Sequence, residues 1–159
     1  MLIEKISVKE KTWYESSLYP IQDAVLAKLN TDKFYLTGGT CLSRFFYQHR
    51  YSDDLDFFFL GDQYDLSEFE IEYSRILLNI ASLLPVDVTI NEKTYKRAFI
   101  RTESCHLKIE FIYEPFRAIG KRTKINNFFI DDKLNIAVNK ITAVYSRKTP
   151  KDYLIYSFY

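Results

Sequence analysis

Two acidic residues, Asp54 and Asp56, stand two positions apart at the start of the apolar run Leu55–Leu60. A continuous apolar run of this length is typical of a strand that is buried on both faces. Residues two apart on a strand project from the same face, about 6.6 Å apart along the chain. Paired carboxylates repel each other unless a cation lies between them, and such oxygen ligands suit Mg²⁺ or Mn²⁺. The pair therefore predicts a divalent-metal site, with a solvated acidic turn as the alternative.

A glycine pair follows another short predicted strand, in the sequence Gly38-Gly39-Thr40. Glycines at a helix start allow the backbone to approach a phosphate, and the helix N-terminus favours anions. The segment is not a Walker A loop, which requires a Lys after its second conserved Gly. A tight turn without a ligand is the alternative. The 14 positions from Thr40 to Asp54 leave room for one helix and a return loop, so a phosphate cradle facing the carboxylate pair would support phosphoryl or nucleotidyl transfer.

Further charged residues lie on other predicted elements. Glu110 occupies the face of its strand opposite Leu107 and Ile109, where it could complete the metal site or lie on a solvated sheet surface. Lys140 and Arg147 are seven positions apart on a predicted helix and hence share one face, about 10.5 Å apart. A lysine among apolar neighbours could reach a triphosphate, with a surface lysine as the alternative reading.

The predicted elements alternate between helices and strands. Amphipathic or capped segments predict helices over 13–29, 40–48, 65–84 and 131–148, with a short last helix after Pro150. Strands are predicted over 34–36, 55–60, 86–90, 95–101, 106–113 and 127–130. The pattern predicts a single α/β (α+β) domain in which a mixed sheet is flanked by helices.

The composition limits the class of protein. At 159 residues, of which 47% are hydrophobic and 27% charged, the chain has the size and composition of one folded domain and not of a disordered segment. Neither a stretch of about 20 apolar residues nor an export signal is present, and two cysteines do not make a disulfide framework. We therefore expect a reduced, cytoplasmic protein without a membrane segment.

The small net charge of +1 conceals an asymmetry along the chain. Residues 53–72 contain eight acids and no Lys or Arg, whereas residues 93–124 contain nine bases and three acids. A protein that handles both a metal and a polyanion would need such a division. Two separately solvated faces are the alternative explanation.

Three motifs together resemble those of the DNA polymerase β-type nucleotidyltransferases, and within them the AbiEii/AbiGii toxin branch that includes the MenT toxins. The motifs are Gly38-Gly39-Thr40, Arg50-x-Ser52-x-Asp54-x-Asp56, and Lys140-x-x-Ala143-x-x-x-Arg147 followed by Lys151-Asp152. The similarity extends from about Phe34 to Tyr156.

The resemblance implies a minimal nucleotidyltransferase fold over residues 1–159 that binds a nucleoside triphosphate and Mg²⁺ or Mn²⁺. It implies metal binding by Asp54 and Asp56, and assigns a catalytic role to these two residues and to two that match the later motifs, Lys140 and Asp152. The implied nucleotide-binding residues are Gly38, Gly39, Thr40, Arg50, Ser52, Lys140 and Arg147. Members of the family transfer nucleotides to RNA, notably to tRNA 3′ ends, and often act as toxins paired with an antitoxin protein.

The sequence departs from the family pattern in two places. Lys151-Asp152 replaces the usual Arg-Asp, and the sequence ends at Tyr159, where many relatives continue into a helical domain. Asp152 also has a plain structural explanation, since it occupies the position of a capping acid after Thr149-Pro150.

The alternatives to the transferase are a binding module, a glycosyltransferase and a phosphatase. A nucleotide- or protein-binding module could use the same fold, with the apolar segment 153–159 joining a second chain, including a second copy of itself. A glycosyltransferase using a DxD motif ranks lower because it usually needs a larger domain. A phosphatase of the haloacid dehalogenase type ranks lower still, because Asp54-Leu55-Asp56 is not followed by the Gly-Thr of that class.

Overall fold

A seven-stranded mixed sheet forms the centre of the part of the chain that the computed structural model describes, residues 7–60, 66–114 and 119–147. The side chains of residues 143–147 lie outside that description. The strands are β1 (Phe34–Thr37), β2 (Leu55–Phe59), β3 (Val86–Asn91), β4 (Tyr95–Arg101), β5 (His106–Ile112), β6 (Thr123–Ile125) and β7 (Phe128–Ile130). Their order is β3-β4-β5-β2-β1-β7-β6. The pairs β2–β5 and β1–β7 are parallel and the other pairs are antiparallel.

Helices pack on both faces of this sheet. The first is α1 (Val8–Trp13), which continues through a π-helical stretch (Tyr14–Leu18) into α2 (Tyr19–Leu29). The second, α3 (Gly38–Cys41), likewise continues through a π-helical stretch (Leu42–Tyr47). The others are α4 (Leu66–Ala81) and α5 (Lys133–Arg147). The predicted mixed sheet flanked by helices is thereby confirmed.

The two faces of the sheet are covered differently. Along β2, the side chains of Leu55, Phe57 and Phe59 are buried, whereas those of Asp56 and Phe58 are partly exposed. Strand β5 shows the same alternation. The prediction that β2 is buried on both faces is therefore wrong, because only one face lies in the apolar core and the other borders a cavity.

The core itself is rich in aromatic side chains. Phe57 stacks on Phe111 with ring centroids 5.3 Å apart, and Tyr73 of α4 contacts Phe111 edge-on at 5.3 Å. Such ring pairs contribute beyond the area that they bury. They fix β2 against β5, and this pairing positions the polar residues on the opposite face.

Several element boundaries differ from the sequence prediction. The first helix begins at Val8 and not at Trp13, because Ser7 and Glu10 form a reciprocal capping box. Gly38 and Gly39 are the first residues of α3 and not a turn that precedes it. Strand β6 was not predicted, and α4 ends at Ala81, three residues early. The last predicted helix, after Pro150, lies outside the described residues.

Within the described residues, no helix combines the length and the apolarity that crossing a bilayer requires.

Candidate active site

A row of polar side chains crosses the middle of the sheet. Thr37 of β1 is paired with Asp56 of β2, Asp56 with Glu110 of β5, and Glu110 with Arg97 of β4. Residues paired directly across neighbouring strands lie on the same face. The parallel register of β2 and β5 thus places two carboxyl groups, far apart in the sequence, side by side.

A cavity of about 280 Å³ lies over this row. Helix α5 covers it from one side, so that Lys140 and Asn139 share the cavity with Asp56 and Glu110. Its lining is Thr37, Gly38, Asp56, Phe58, Glu110, Ile112, Glu114, Ile136, Asn139, Lys140 and Thr142. The structure therefore brings four predicted site residues from distant parts of the chain around one space: Gly38, Asp56, Glu110 and Lys140.

The two glycines allow a close approach between the start of α3 and the acidic segment. Gly38 has φ +72°, a conformation that L side chains rarely adopt, and a Cβ atom there would lie 2.5 Å from Asp56 Oδ2. A Cβ atom at Gly39 would collide with the Arg50 guanidinium and lie 3.4 Å from Ser52 Oγ. The first N–H groups of a helix lack intrahelical acceptors and favour anions. The glycines thus place such a helix start beside Asp56 and Arg50.

Thr40 joins the same helix to the segment before β2. Its hydroxyl donates to the main-chain carbonyl of Asp54 and lies 2.8 Å from Ser52 Oγ. Both Thr40 and Ser52 are buried. In this structure the Thr40 hydroxyl holds the Asp54 backbone and contacts the Ser52 hydroxyl, and the predicted contact of each residue with a phosphate stays a prediction.

Gln22 of α2 is a site-supporting residue that the sequence analysis missed. Its side chain is fully buried, and Nε2 donates to the carbonyls of Ser52 at 3.0 Å and Asp53 at 3.1 Å. Its Oε1 accepts from Arg44 Nη1 at 3.1 Å. Tyr14 adds a hydrogen bond to Asp53 Oδ1 at 2.5 Å. A polar residue at the centre of an otherwise apolar helix face was the signal that could have identified Gln22.

The carboxyl groups of the row differ in their electrostatics. Burial raises the pKa of Asp56 to about 7, and the nearby Glu110 and Asp54 charges act in the same direction against the opposing effect of Lys108. Burial would also raise the pKa of Glu110, but hydrogen bonds from Tyr95, Lys108 and Arg97 outweigh it and hold that pKa well below its ordinary value. Glu110 thus remains charged at neutral pH, while Asp56 is the proton-holding member of the pair.

Lys108 lies between two of these acids. Its Nζ is 2.9 Å from Asp54 Oδ2 and 3.1 Å from Glu110 Oε2. Arg97 Nε donates to Glu110 Oε1 at 2.9 Å, and the Tyr95 hydroxyl donates to the same oxygen. Both oxygens of Glu110 therefore already accept hydrogen bonds from the protein.

The acidic pair fits a divalent cation bound in part by substrate. Among the described residues, no three His, Cys, Asp or Glu side chains are grouped closely enough to hold a metal by themselves. Mg²⁺, however, is usually held by one or two carboxylates together with waters and substrate phosphates. Asp54 and Asp56 offer two carboxylates near the start of α3, and a cation there would relieve the repulsion that raises the pKa of Asp56.

A second acidic group lies at the α5 side of the cavity. Burial raises the pKa of Glu114, which lines the cavity, and the Asp131 charge adds to the effect. Asp131 is buried and accepts hydrogen bonds from the Thr37 hydroxyl at 2.6 Å and the Asn135 amide at 3.0 Å. Asp132, whose Oδ1 accepts from Leu134 N at 2.8 Å, caps α5. Asp132, and not Asp131, is therefore the N-cap of α5.

Two predicted site residues fall outside this description. The side chain of Arg147 and the whole of Asp152 lie beyond the described residues, so their predicted roles stay predictions. The remaining predicted residues lie in the segments that surround the cavity or in its walls. They are Gly38, Gly39, Thr40, Arg50, Ser52, Asp54, Asp56, Glu110 and Lys140.

The fold has counterparts among solved structures. JHP933 from Helicobacter pylori superposes with a TM-score of 0.63 at 19% identity, over 87% of this chain and 59% of that one. A second H. pylori structure, described as a candidate nucleotidyltransferase, gives 0.61 at 19% identity, over 86% and 59%. MenT4, a nucleotidyltransferase toxin from Mycobacterium tuberculosis, gives 0.46 at 12% identity with the same coverage. The chain therefore spans about three-fifths of the length of these structures. The comparison with curated proteins found no match.

The likeness to the two H. pylori structures shows a shared fold, a mixed sheet flanked by helices. The family model described as "Nucleotidyl transferase AbiEii toxin, Type IV TA system" matches residues 23–154. Because this match covers well over half of the chain, the protein belongs to the AbiEii nucleotidyl transferase toxin family, as its motifs predicted.

Replacing Asp56 by Asn should stabilise the protein at alkaline pH. Since the pKa of Asp56 is raised in the folded state from 3.8 to about 7, the stabilisation from its bound proton is lost as the pH rises through that interval. In EDTA-containing buffer we expect Asp56→Asn to increase the free energy of unfolding by about 1–3 kcal/mol at pH 8 and by much less at pH 5. Urea unfolding at both pH values measures it.

Asp87→Asn is the matched control, because Asp87 is an exposed strand acid that pairs with Arg101. Its effect should be small at both pH values. An Asp56→Asn effect of equal size at pH 5 and pH 8 would contradict the assignment of the raised pKa.

Replacing Gln22 should loosen the segment that carries Asp54. Gln22→Leu leaves the carbonyls of Ser52 and Asp53 without their donor in a buried place, which we expect to cost about 1–3 kcal/mol of stability. Gln22→Glu keeps the shape but directs a carboxylate at the same carbonyls, so it should cost at least as much. Urea unfolding of both variants tests this, and a Gln22→Glu variant as stable as the wild type would show that the amide does not donate there.

Proposed function

We propose that the protein is a metal-dependent nucleotidyltransferase that moves a nucleoside monophosphate from a nucleoside triphosphate to an RNA hydroxyl, most favourably at a tRNA 3′ end. We further propose that it acts in the cytoplasm as the toxin of a toxin–antitoxin or phage-defence pair, with a cognate antitoxin protein as its partner. The observation that carries the chemistry is the cavity in which Asp56 lies against the glycine-started helix α3 and shares space with Lys140.

The donor nucleotide would enter with its phosphates at the start of α3. The first turn of α3 has no side-chain cap from Thr37, so its N–H groups and the approach allowed by Gly38 and Gly39 suit phosphate oxygens. Lys140, on α5 across the cavity, would add a positive charge to the triphosphate. The Arg50 guanidinium, which lies against Gly39, would neutralise charge from the other side.

The divalent ion would be held by Asp54 and Asp56, and when bound it would offset the charge of the reacting phosphates. Glu110 was predicted as a third ligand, and in the structure its oxygens accept hydrogen bonds from Tyr95, Arg97 and Lys108. Glu110 would therefore bind the metal only if those donors moved away from its oxygens.

In the transfer step, the RNA hydroxyl oxygen forms a bond to the α-phosphorus while the bond from that phosphorus to the bridging oxygen breaks. Pyrophosphate leaves with the electron pair of the broken bond, and the hydroxyl proton goes to a carboxylate. Asp54, Asp56 and Glu110 are the carboxylates available to accept it, and of these Asp56 and Glu110 line the cavity. The protein thus contributes alignment, charge and a proton acceptor.

The basic segment 93–124 contributes less to RNA binding than its composition suggests. Among the described residues of this segment, four bases form ion pairs with acids: Lys96 with Glu70, Arg97 with Glu110, Arg101 with Asp87, and Lys108 with Asp54. Lys93, Lys121 and Lys124 are exposed and would face a polyanion. Binding through so few bases would weaken with salt, but with a modest slope.

Incubation with each α-³²P-labelled nucleoside triphosphate, Mg²⁺ and total tRNA should transfer label to tRNA. Asp54→Ala/Asp56→Ala should reduce the rate by more than about 100-fold, since even indirect partners of a metal ligand cost 10–100-fold. Asp87→Asn, an acid remote from the cavity, should leave the rate unchanged.

Transfer by the double variant at the wild-type rate would contradict the proposal. Nucleotide binding by the wild type without transfer to any RNA would favour the second candidate, a nucleotide- or protein-binding module of the same fold. The labelled nucleotide that is incorporated names the donor directly.

A further inference from the structure

Lys108 places an ammonium group directly at the acidic pair. It lies two residues before Glu110 on β5, on the same face as the carboxylate row, and its side chain is only about one-quarter exposed. Its Nζ contacts Asp54 Oδ2 at 2.9 Å and Glu110 Oε2 at 3.1 Å. The Lys108 charge thus bridges a residue proposed to hold metal and the residue predicted as its third ligand.

The hydrogen bonds of Glu110 position one of its oxygens to bind Lys108. Its Oε1 accepts from Arg97 Nε at 2.9 Å and from the Tyr95 hydroxyl, which leaves Oε2 for Lys108. The Glu110 side chain is 13% exposed, so these donors replace water around most of the carboxylate. A carboxylate with both oxygens satisfied by charged donors gains little from a further cation.

The balance of charges around the acidic pair also disfavours a further cation beside Glu110. Asp54, Asp56 and Glu110 bring up to three negative charges to one sheet face, where Lys108 and Arg97 return two positive ones. An ion at Asp54 and Asp56 would meet the Lys108 ammonium as a neighbouring like charge, which lowers its affinity. Removing Lys108 would lift that repulsion and free one Glu110 oxygen.

We propose that Lys108 is a built-in counter-ion of the acidic pair and is held in place by Glu110. With Lys108 present, Asp54 and Asp56 bind a single divalent cation. Glu110 becomes a metal ligand only when Lys108 is removed. The inference rests on the proposed function, because it concerns the same carboxylates. The Lys108 ammonium occupies the place that a further cation would otherwise take between Asp54 and Glu110.

The test is Mn²⁺ binding to the protein in the absence of nucleotide. The loss of the free Mn²⁺ signal in electron paramagnetic resonance measures it. Lys108→Met, which keeps a long unbranched side chain but removes the charge, should bind Mn²⁺ about tenfold more tightly than the wild type. Lys108→Arg, which keeps the charge, should stay within about threefold of it. The double variant Lys108→Met/Glu110→Gln should lose part of the gain, because the additional ligand is then absent while the repulsion by the Lys108 ammonium stays lifted.

An affinity in Lys108→Met that is unchanged or weaker, or no measurable Mn²⁺ binding by either protein, would overturn the inference. A gain that is undiminished in the double variant would overturn the part assigned to Glu110. Circular dichroism checks folding, and Lys108→Gln replaces Lys108→Met if the latter does not fold, with the same expected outcomes.

The labelled-nucleotide assay separates this inference from the proposed function. A tenfold gain in Mn²⁺ affinity without transfer by the wild type would leave the inference standing and remove the function. Transfer by the wild type without any gain in Lys108→Met would do the reverse.

Discussion

Two carboxyl groups, Asp56 and Glu110, lie side by side in the middle of the sheet because β2 and β5 run parallel in the register that pairs them. Placing two like charges together beside an apolar core is costly unless the surroundings compensate. The structure compensates asymmetrically. Glu110 receives donors from Tyr95, Arg97 and Lys108, whereas Asp56 keeps a raised pKa and faces the cavity. That asymmetry distinguishes the acid that supports the site from the acid that is available for chemistry.

The rest of the architecture serves to place other groups around Asp56. The apolar rings of Phe57 and Phe111 fix the strand pairing from behind. Gly38 allows the start of α3 to approach the carboxylate, at a distance that a Cβ atom would prevent. Helix α5 closes the opposite side and brings Lys140 to the same cavity. Each contact is local in space, yet the groups come from elements spread along most of the described chain.

The segment that carries Asp54 is supported from a different direction. Gln22 holds its carbonyls, Thr40 holds the Asp54 carbonyl, and Tyr14 holds the Asp53 side chain. Loop residues that carry chemistry need such support, because a misplacement of about 1 Å is enough to weaken a site. Tyr14, in the π-helical stretch, and Gln22, on α2, both lie before the region 23–154 that the family model matches.

The sequence by itself determined the features that depend on short spacings. The two-residue period of a strand predicted that Asp54 and Asp56 share a face, the Gly38-Gly39 pair predicted a helix start within two residues of the one observed, and helical periodicity predicted apolar neighbours for Lys140. Only the tertiary structure decided that Glu110 adjoins Asp56, that Lys108 bridges Asp54 and Glu110, and that Gln22 supports the loop. These depend on strand order and register, which arise from packing between segments far apart in the chain. Local patterns reveal which way a side chain points, but the packing of the whole sheet decides what it meets.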